Sequence, residues 1–290
     1  MTPDSMMTLA TLNKLLGIPA LASEHGEMVD HMLELVHWFM LLLFIGWSAF
    51  LVVVFTKFRQ KAHPKADHHG VRGHASTHIE IGVVIVEAIL LLGFAFPMWA
   101  QQSDKYPSGN NVLKMRAVGE KFLWSFQYSG LDGTMGRTAL KYINVGSNPP
   151  NTIGRDMKDP NAKDDFVKVG VMTLPVNRPV IVDVTSKDVI HNLALVPMRM
   201  AQDATPGVRS HAWFKPTKTG SWDIICGQLC GPGHSGMKAT LEVIEQKEFD
   251  EFMKENSESA KTTFEAAEAD AAKAAANPAP GTPAAAPAAH

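Results

Sequence analysis

The sequence predicts two membrane-spanning helices, then an all-β sandwich, then a helix and a low-complexity tail. Three observations carry this. Apolar residues concentrate in two long runs before residue 100, while 104 to 245 alternates short β-rich runs with Gly, Pro and Asn. The end of the chain turns to Glu, Lys and Ala, then to Ala and Pro. A length of 290 residues allows one or two domains. Net charge of −2 counts against a nucleic-acid partner. No C-x-x-C-H run occurs, so no c-type haem is attached to this chain.

Residues 1–30 read either as an N-terminal arm or as a weak signal peptide. Ala20-Leu21-Ala22 before Ser23 resembles a cleavage site, but no positive charge precedes the weak apolar core of Leu9 to Ile18, and Lys14 interrupts it. The segment 31–100 holds the two spans. Met32 to Phe55 is roughly 24 residues, long enough to cross a bilayer. Glu34 and His37 in its first turns can reach headgroups or a partner subunit. Ile79 to Ala100 is the second span, with Pro97 and Trp99 at the interface.

Between them lie Lys57, Arg59, Lys61, Lys65 and Arg72, with His63, His68, His69, His74 and His78. A short Lys/Arg-rich loop faces the cytoplasm, which puts everything after residue 100 on the outer face. The histidines lack a cysteine or a fixed spacing, so a solvated loop is the better reading than a metal site. Glu80 starts the second span, where a carboxylate suits the helix dipole. Glu87 lies two turns deeper, where an ionisable group is costly and should face protein or water. Seven residues apart, the two share nearly one helix face and are candidates for a single proton route.

The β-rich runs are Val112–Arg116, Phe122–Phe126, Ala139–Ile143, Val167–Val171, Val180–Val184, His211–Phe214, Ser221–Ile225 and Lys238–Ile244. Their spacing suits a sandwich. Within this region Cys226 and Cys230, the chain's two cysteines, are followed by His234 and Met237 in a Gly/Pro-rich loop. Thiolate, imidazole and thioether together favour copper over hard cations. Zinc is the nearest rival but rarely takes thioether sulfur. A disulfide would suit an exported domain, yet would leave His191, His234 and Met237 unexplained.

The pattern C-x-x-x-C-x-x-x-H-x-x-M, preceded by Asp188-Val-Ile-His191, resembles the dinuclear copper (CuA) domain of cytochrome c oxidase subunit II. The resemblance covers about residues 30 to 245. It implies a cupredoxin-like Greek-key sandwich over 104–245, in which Cys226 and Cys230 bridge both coppers. His191 and Met237 would complete one copper, and His234 with the backbone carbonyl of Gln228 the other. Many relatives carry glutamate at position 228, where it also holds Mg2+ beside the catalytic subunit. Gln228 is a weaker ligand for a hard cation and leaves that ion doubtful.

Glu80 matches a family glutamate at the mouth of a proton pathway. At Glu87 many relatives have proline instead. Phe122-Leu-Trp124-Ser-Phe-Gln-Tyr128 resembles the family's aromatic segment, with Phe122 in place of the Trp that receives the electron from cytochrome c. Trp124 keeps the second Trp, with a place in the sandwich core as its other reading. Asp203-Ala-Thr-Pro-Gly207 resembles the family's loop facing the catalytic subunit, although a plain Pro-Gly turn would read the same way.

Residues 104–245 carry about 17 Lys/Arg against about 13 Asp/Glu, a mildly basic balance. An acidic face would be expected for a basic cytochrome c, so an acidic or neutral cytochrome, or a haem domain on a neighbouring subunit, fits as donor. Gln246 to Ala276 reads as a helix with Phe249, Phe252 and Met253 on its packing face, and 277–290 as disordered.

The resemblance implies a bacterial inner-membrane subunit with a periplasmic copper domain. It would pass electrons to haem in a separate catalytic subunit of a proton-pumping, oxygen-reducing oxidase with further subunits. The alternative is the copper subunit of a haem-copper nitric oxide reductase.

Overall fold

The computed structural model describes residues 14–65, 68–69, 73–109, 111–147 and 150–276, and of 267 and 270–276 the backbone alone. The first part of the N-terminal arm, Arg72 of the basic loop and the tail read as disordered lie outside the described residues. The chain forms two compact units. One holds the residues up to Tyr106 with Pro197–Arg199, the other Pro107–Val196 and the chain from Met200.

The first unit is built on α1 (Gly26–Lys57) and α2 (Ala75–Asp104), both long and apolar enough to cross a membrane. Their apolar side chains are exposed along their length. At ~1.5 Å per residue, α1 is longer than the ~30 Å hydrocarbon layer requires. Its polar first turns, with Glu27, Asp30 and His31, start before the apolar run begins. Asp30 is buried by a two-point pair with Arg199, Nε to Oδ1 at 2.6 Å and a terminal nitrogen to Oδ2 at 3.1 Å. In α2 the turn Leu91–Ala95 widens to a π-turn. Pro97 follows it, and a proline ring crowds the carbonyl four residues back, here Gly93.

The second unit is a sandwich of two five-stranded sheets. Its strands are β1 (Leu113–Glu120), β2 (Leu123–Tyr128), β3 (Phe166–Val169), β4 (Val171–Pro175) and β5 (Val180–Ser186). They continue as β6 (His191–Leu195), β7 (Met200–Ala204), β8 (Ser210–Phe214), β9 (Gly220–Cys226) and β10 (Lys238–Ile244). One sheet runs β3-β2-β1-β5-β8 and the other β4-β10-β9-β6-β7, with β1–β5 and β10–β4 parallel. Strict alternation sets the inner face: Val180, Val182 and Val184 on β5 meet a core that includes Ala239, Leu241 and Val243 of β10.

Two readings of the sequence need correction. Ala139–Ile143 is not a strand; Leu140–Tyr142 forms a 3-10 turn. It belongs to the excursion between β2 and β3, which packs over one sheet and satisfies its outward polar residues instead of extending an edge. Arg116 donates to Gln127 Oε1 and Thr138 Oγ1, and Gln127 in turn to Asp165 Oδ2. The run Val167–Val171 is also not one strand. Gly170, at φ +75°, breaks it, and β3 and β4 join different sheets. Strand β7 carries no local strand signal, since Met-Ala-Gln-Asp-Ala has no β-branched residue.

Helix α3 (Gln246–Ala276) buries Phe249, Met253 and Phe264, and sets Phe252 edge-on to Tyr128 and Phe166. Tyr128 ties the two sheets together. From β2 its hydroxyl donates to Thr173 O of β4 at 3.0 Å and accepts from Thr173 N–H at 2.8 Å. Burial pushes its pKa well above the ordinary phenol value. Removing the hydroxyl strands a buried N–H and C=O, each costing about 1–3 kcal/mol. Tyr128→Phe is therefore expected to lower unfolding free energy by about 2–4 kcal/mol in chemical denaturation of the detergent-solubilised chain.

Asp165, fully buried, gives the fold a pH dependence. Burial pushes its carboxyl up to about 6, against hydrogen bonds from Gly136 N–H and the Gln127 amide that favour the ion. Between its unfolded value and about 6 the native chain holds a proton the unfolded chain releases, so this group's contribution falls as pH rises through that window. About two units correspond to a loss on the order of 2–3 kcal/mol. Asp165→Asn is expected to remove that decline, seen as a flatter stability-versus-pH curve between pH 4 and 7.

Candidate metal centre

The pairing of β6 with β9 brings the candidate ligand residues together. It is short, Leu193 opposite Cys226 and Ala194 opposite Ile225. Side chains two apart share a face of a strand, so His191, two before Leu193, points inward on the same side as Cys226. Both are buried. The other candidate donors sit on the β9–β10 connection. That loop is closed by Cys226 N–H to Met237 O at 3.2 Å and steadied by Gly227 N–H to Asn192 O at 3.0 Å.

Six donor atoms converge there. Cys226 Sγ lies 3.8 Å from Cys230 Sγ, 3.9 Å from His191 Nδ1 and 3.2 Å from Gln228 O. Cys230 Sγ lies 3.6 Å from His234 Nδ1 and 3.8 Å from Met237 Sδ. Both cysteines are free thiols. Their separation is less than twice a metal–thiolate bond of ~2.3 Å, so a single ion can touch both. The carbonyl of Gln228 faces the sulfurs while the residue itself is exposed. Burial and the neighbouring Cys226 thiol push the Cys230 thiol up from its ordinary value. Metal binding must therefore displace protons here, and it weakens in acid. The donor set is soft and buried, and it fits copper.

Around the donors the packing is tight. A Cβ at Gly119 would stand 3.0 Å from His191 and 3.1 Å from Trp124, so a larger residue would push these rings aside by a few tenths of an ångström. Trp124 is fully buried with its ring edge-on to His191 at 6.0 Å. It backs His191 and does not meet solvent. Phe122 is the surface member of the aromatic segment, 36% exposed, with its ring against Gly231 and Gly233 of the ligand loop. Beside Cys230, Leu229 is 78% exposed.

Asp188 accepts from His191 Nε2 at 2.8 Å. Burial alone would raise its carboxyl, but hydrogen bonds from His191 and the N–H groups of Lys121 and Val189 outweigh it and bring it to about 2. The sequence motif contained Asp188 without showing this contact.

The remaining candidates lie elsewhere. Asp203 is exposed on β7 and accepts from Asn192 Nδ2 at 2.6 Å. Glu80 and Glu87 are exposed on the regular part of α2, seven residues apart.

The family model for the periplasmic domain of cytochrome c oxidase subunit II matches residues 113–246. The crystallised periplasmic domain of subunit II of the cytochrome oxidase of Bradyrhizobium japonicum shares 31% identity, across 99% of its length and 55% of this chain, with a TM-score of 0.38. The chain belongs to the cytochrome c oxidase subunit II family. Longer relatives agree. The alternative cytochrome c oxidase subunit 2 of Bradyrhizobium diazoefficiens is 26% identical over 76% of this chain and 77% of its own length. Cytochrome c oxidase subunit 2 of Cereibacter sphaeroides is 24% identical over 74% and 73%. Membership implies a copper centre and a place in an oxidoreductase complex.

Gly233 tests the packing of Phe122 on the loop. A Cβ there would stand 2.4 Å from the Phe122 ring. Gly233→Ala is expected to weaken copper retention about tenfold or more in chelator competition, and Phe122→Ala in the same chain to recover most of that loss. Equal penalties in both backgrounds would mean the ring and the loop are not coupled.

Proposed function

We propose that this chain is the electron-accepting subunit of a haem-copper terminal oxidase. It would take electrons from a periplasmic cytochrome c and deliver them to haem in a separate catalytic subunit that reduces oxygen to water. The observation that carries the reading is the convergence of two free thiols, two imidazoles, a thioether and a carbonyl at one end of the sandwich. When bound there, a copper pair supplies reversible one-electron chemistry.

The residues of the chain account for the rest. His191, Cys226, Cys230 and Met237 are buried, which keeps bulk water from the ligands, and His234 is half-buried at the outer side. Strands β6, β9 and β10 fix these side chains from both ends of the loop, so the ligands need not rearrange when charge changes. Phe122 and Leu229 form an apolar contact surface beside the loop for the donor. Trp124 stiffens His191 from behind. Asp203, at the exposed face of β7, is assigned to docking with the catalytic subunit.

Two long apolar helices anchor the chain, and the basic loop between them sets the sandwich on the periplasmic side of a bacterial inner membrane. Glu80 and Glu87 share one face of α2. A carboxylate on lipid is costly, so that face is assigned to the catalytic subunit, where the pair lines a proton route.

In the assembled complex, Phe122→Ala is expected to slow reduction by a reduced c-type cytochrome about tenfold, the equivalent of ~1.4 kcal/mol in the barrier. Stopped-flow mixing measures this, and an unchanged bimolecular rate would remove Phe122 from the donor surface. Glu87→Gln is expected to reduce proton uptake per electron in reconstituted vesicles. Unchanged uptake would leave Glu80 without this partner.

A further inference from the structure

The segment that leads into His191 is bonded to more than the ligand. Asp188 Oδ1 accepts from His191 Nε2 at 2.8 Å, from Val189 N–H at 2.7 Å and from Ser186 Oγ at 3.3 Å. Its other oxygen, Oδ2, accepts from Lys121 N–H at 2.8 Å. Lys121 immediately precedes Phe122 in the β1–β2 turn. The same turn is held by Lys187 N–H to Gly119 O at 3.0 Å and by an ion pair between Lys187 and Glu120.

Holding the Nε2–H on the carboxylate leaves Nδ1 with its lone pair toward Cys226. His234 differs. Its Nδ1 faces Cys230, and among the described residues no hydrogen bond fixes its Nε2. The two imidazoles are therefore held unequally, one by a carboxylate and one by its loop alone.

We propose that Asp188 is a positioning residue that clamps the ligand and the electron-uptake turn together. One oxygen fixes the orientation of His191, and the other holds the Phe122 turn against the ligand loop. The inference rests on the copper reading above and deepens it. A carboxylate behind a ligating imidazole raises the basicity of that ligand, and loss of such a partner typically costs ~10–100-fold in metal affinity. Removing a negative charge beside the centre also disfavours its oxidised, more positive state, so the midpoint potential rises.

The test uses the full chain in detergent, as wild type and as Asp188→Ala, Asp188→Asn and Asp223→Ala. The last is a charge control: Asp223 is exposed on β9, and Lys238, at 3.8 Å, is its charged partner. Chelator competition is expected to show ~10–100-fold weaker copper binding in Asp188→Ala. A smaller loss is expected in Asp188→Asn, which keeps one of the two acceptor oxygens. Both Asp188 variants are expected to titrate at a higher potential than Asp223→Ala, and the Lys121 amide to exchange faster in their metal-free forms.

If Asp188→Ala does not fold, the Asn variant decides on potential and amide exchange. Wild type that loads a copper pair, with Asp188→Asn matching Asp223→Ala in affinity, potential and exchange, overturns this inference alone. Wild type that takes up no copper pair overturns the functional reading as well.

Discussion

Two residue pairs between β6 and β9, Leu193 with Cys226 and Ala194 with Ile225, decide where this protein can hold a metal. Because side chains alternate along a strand, a slip of one residue in that pairing would turn His191 outward and leave the thiols without it. The rest of the sandwich guards the register. Valines of β5 and apolar residues of β10 fill the space between the sheets, and Tyr128 ties β2 to β4 through both backbone groups of Thr173. The close approach of β1 at Gly119 brings Trp124 against the ring of His191. Packing far from the donors therefore sets the geometry at the donors.

Chemistry and packing agree in their demands on the ligand loop. A soft, sulfur-rich set suits copper, and a short loop between paired strands keeps such a set stiff. The loop is glycine-rich where Phe122 lies on it, because any larger residue at Gly233 would meet the ring. The same contact puts an aromatic surface residue beside the ligands. Surface and centre are thus neighbours by sterics, and Asp188 adds a second link between them.

The ligand loop is legible in the sequence because its chemistry is local: Cys226, Cys230, His234 and Met237 stand within twelve residues. The two long apolar helices are legible for the same reason, as unbroken apolar runs. What the sequence hides depends on distant partners. The link from Asp188 to Lys121 spans 67 residues, and only the fold makes them neighbours. Ala139–Ile143 has the composition of a strand but lies on top of a sheet, where there is no edge to join. Val167–Val171 looks continuous until the left-handed Gly170 sends its halves to different sheets. The raised carboxyl of Asp165 follows from burial under the excursion between β2 and β3, which no local pattern announces.

Electron paramagnetic resonance of the copper-loaded, full-length chain tests the central claim most directly. A single unpaired electron split by two equivalent copper nuclei, lost when Cys226 or Cys230 becomes serine, is the result this account requires. Splitting by one copper nucleus, or a signal that survives loss of either thiol, would contradict it.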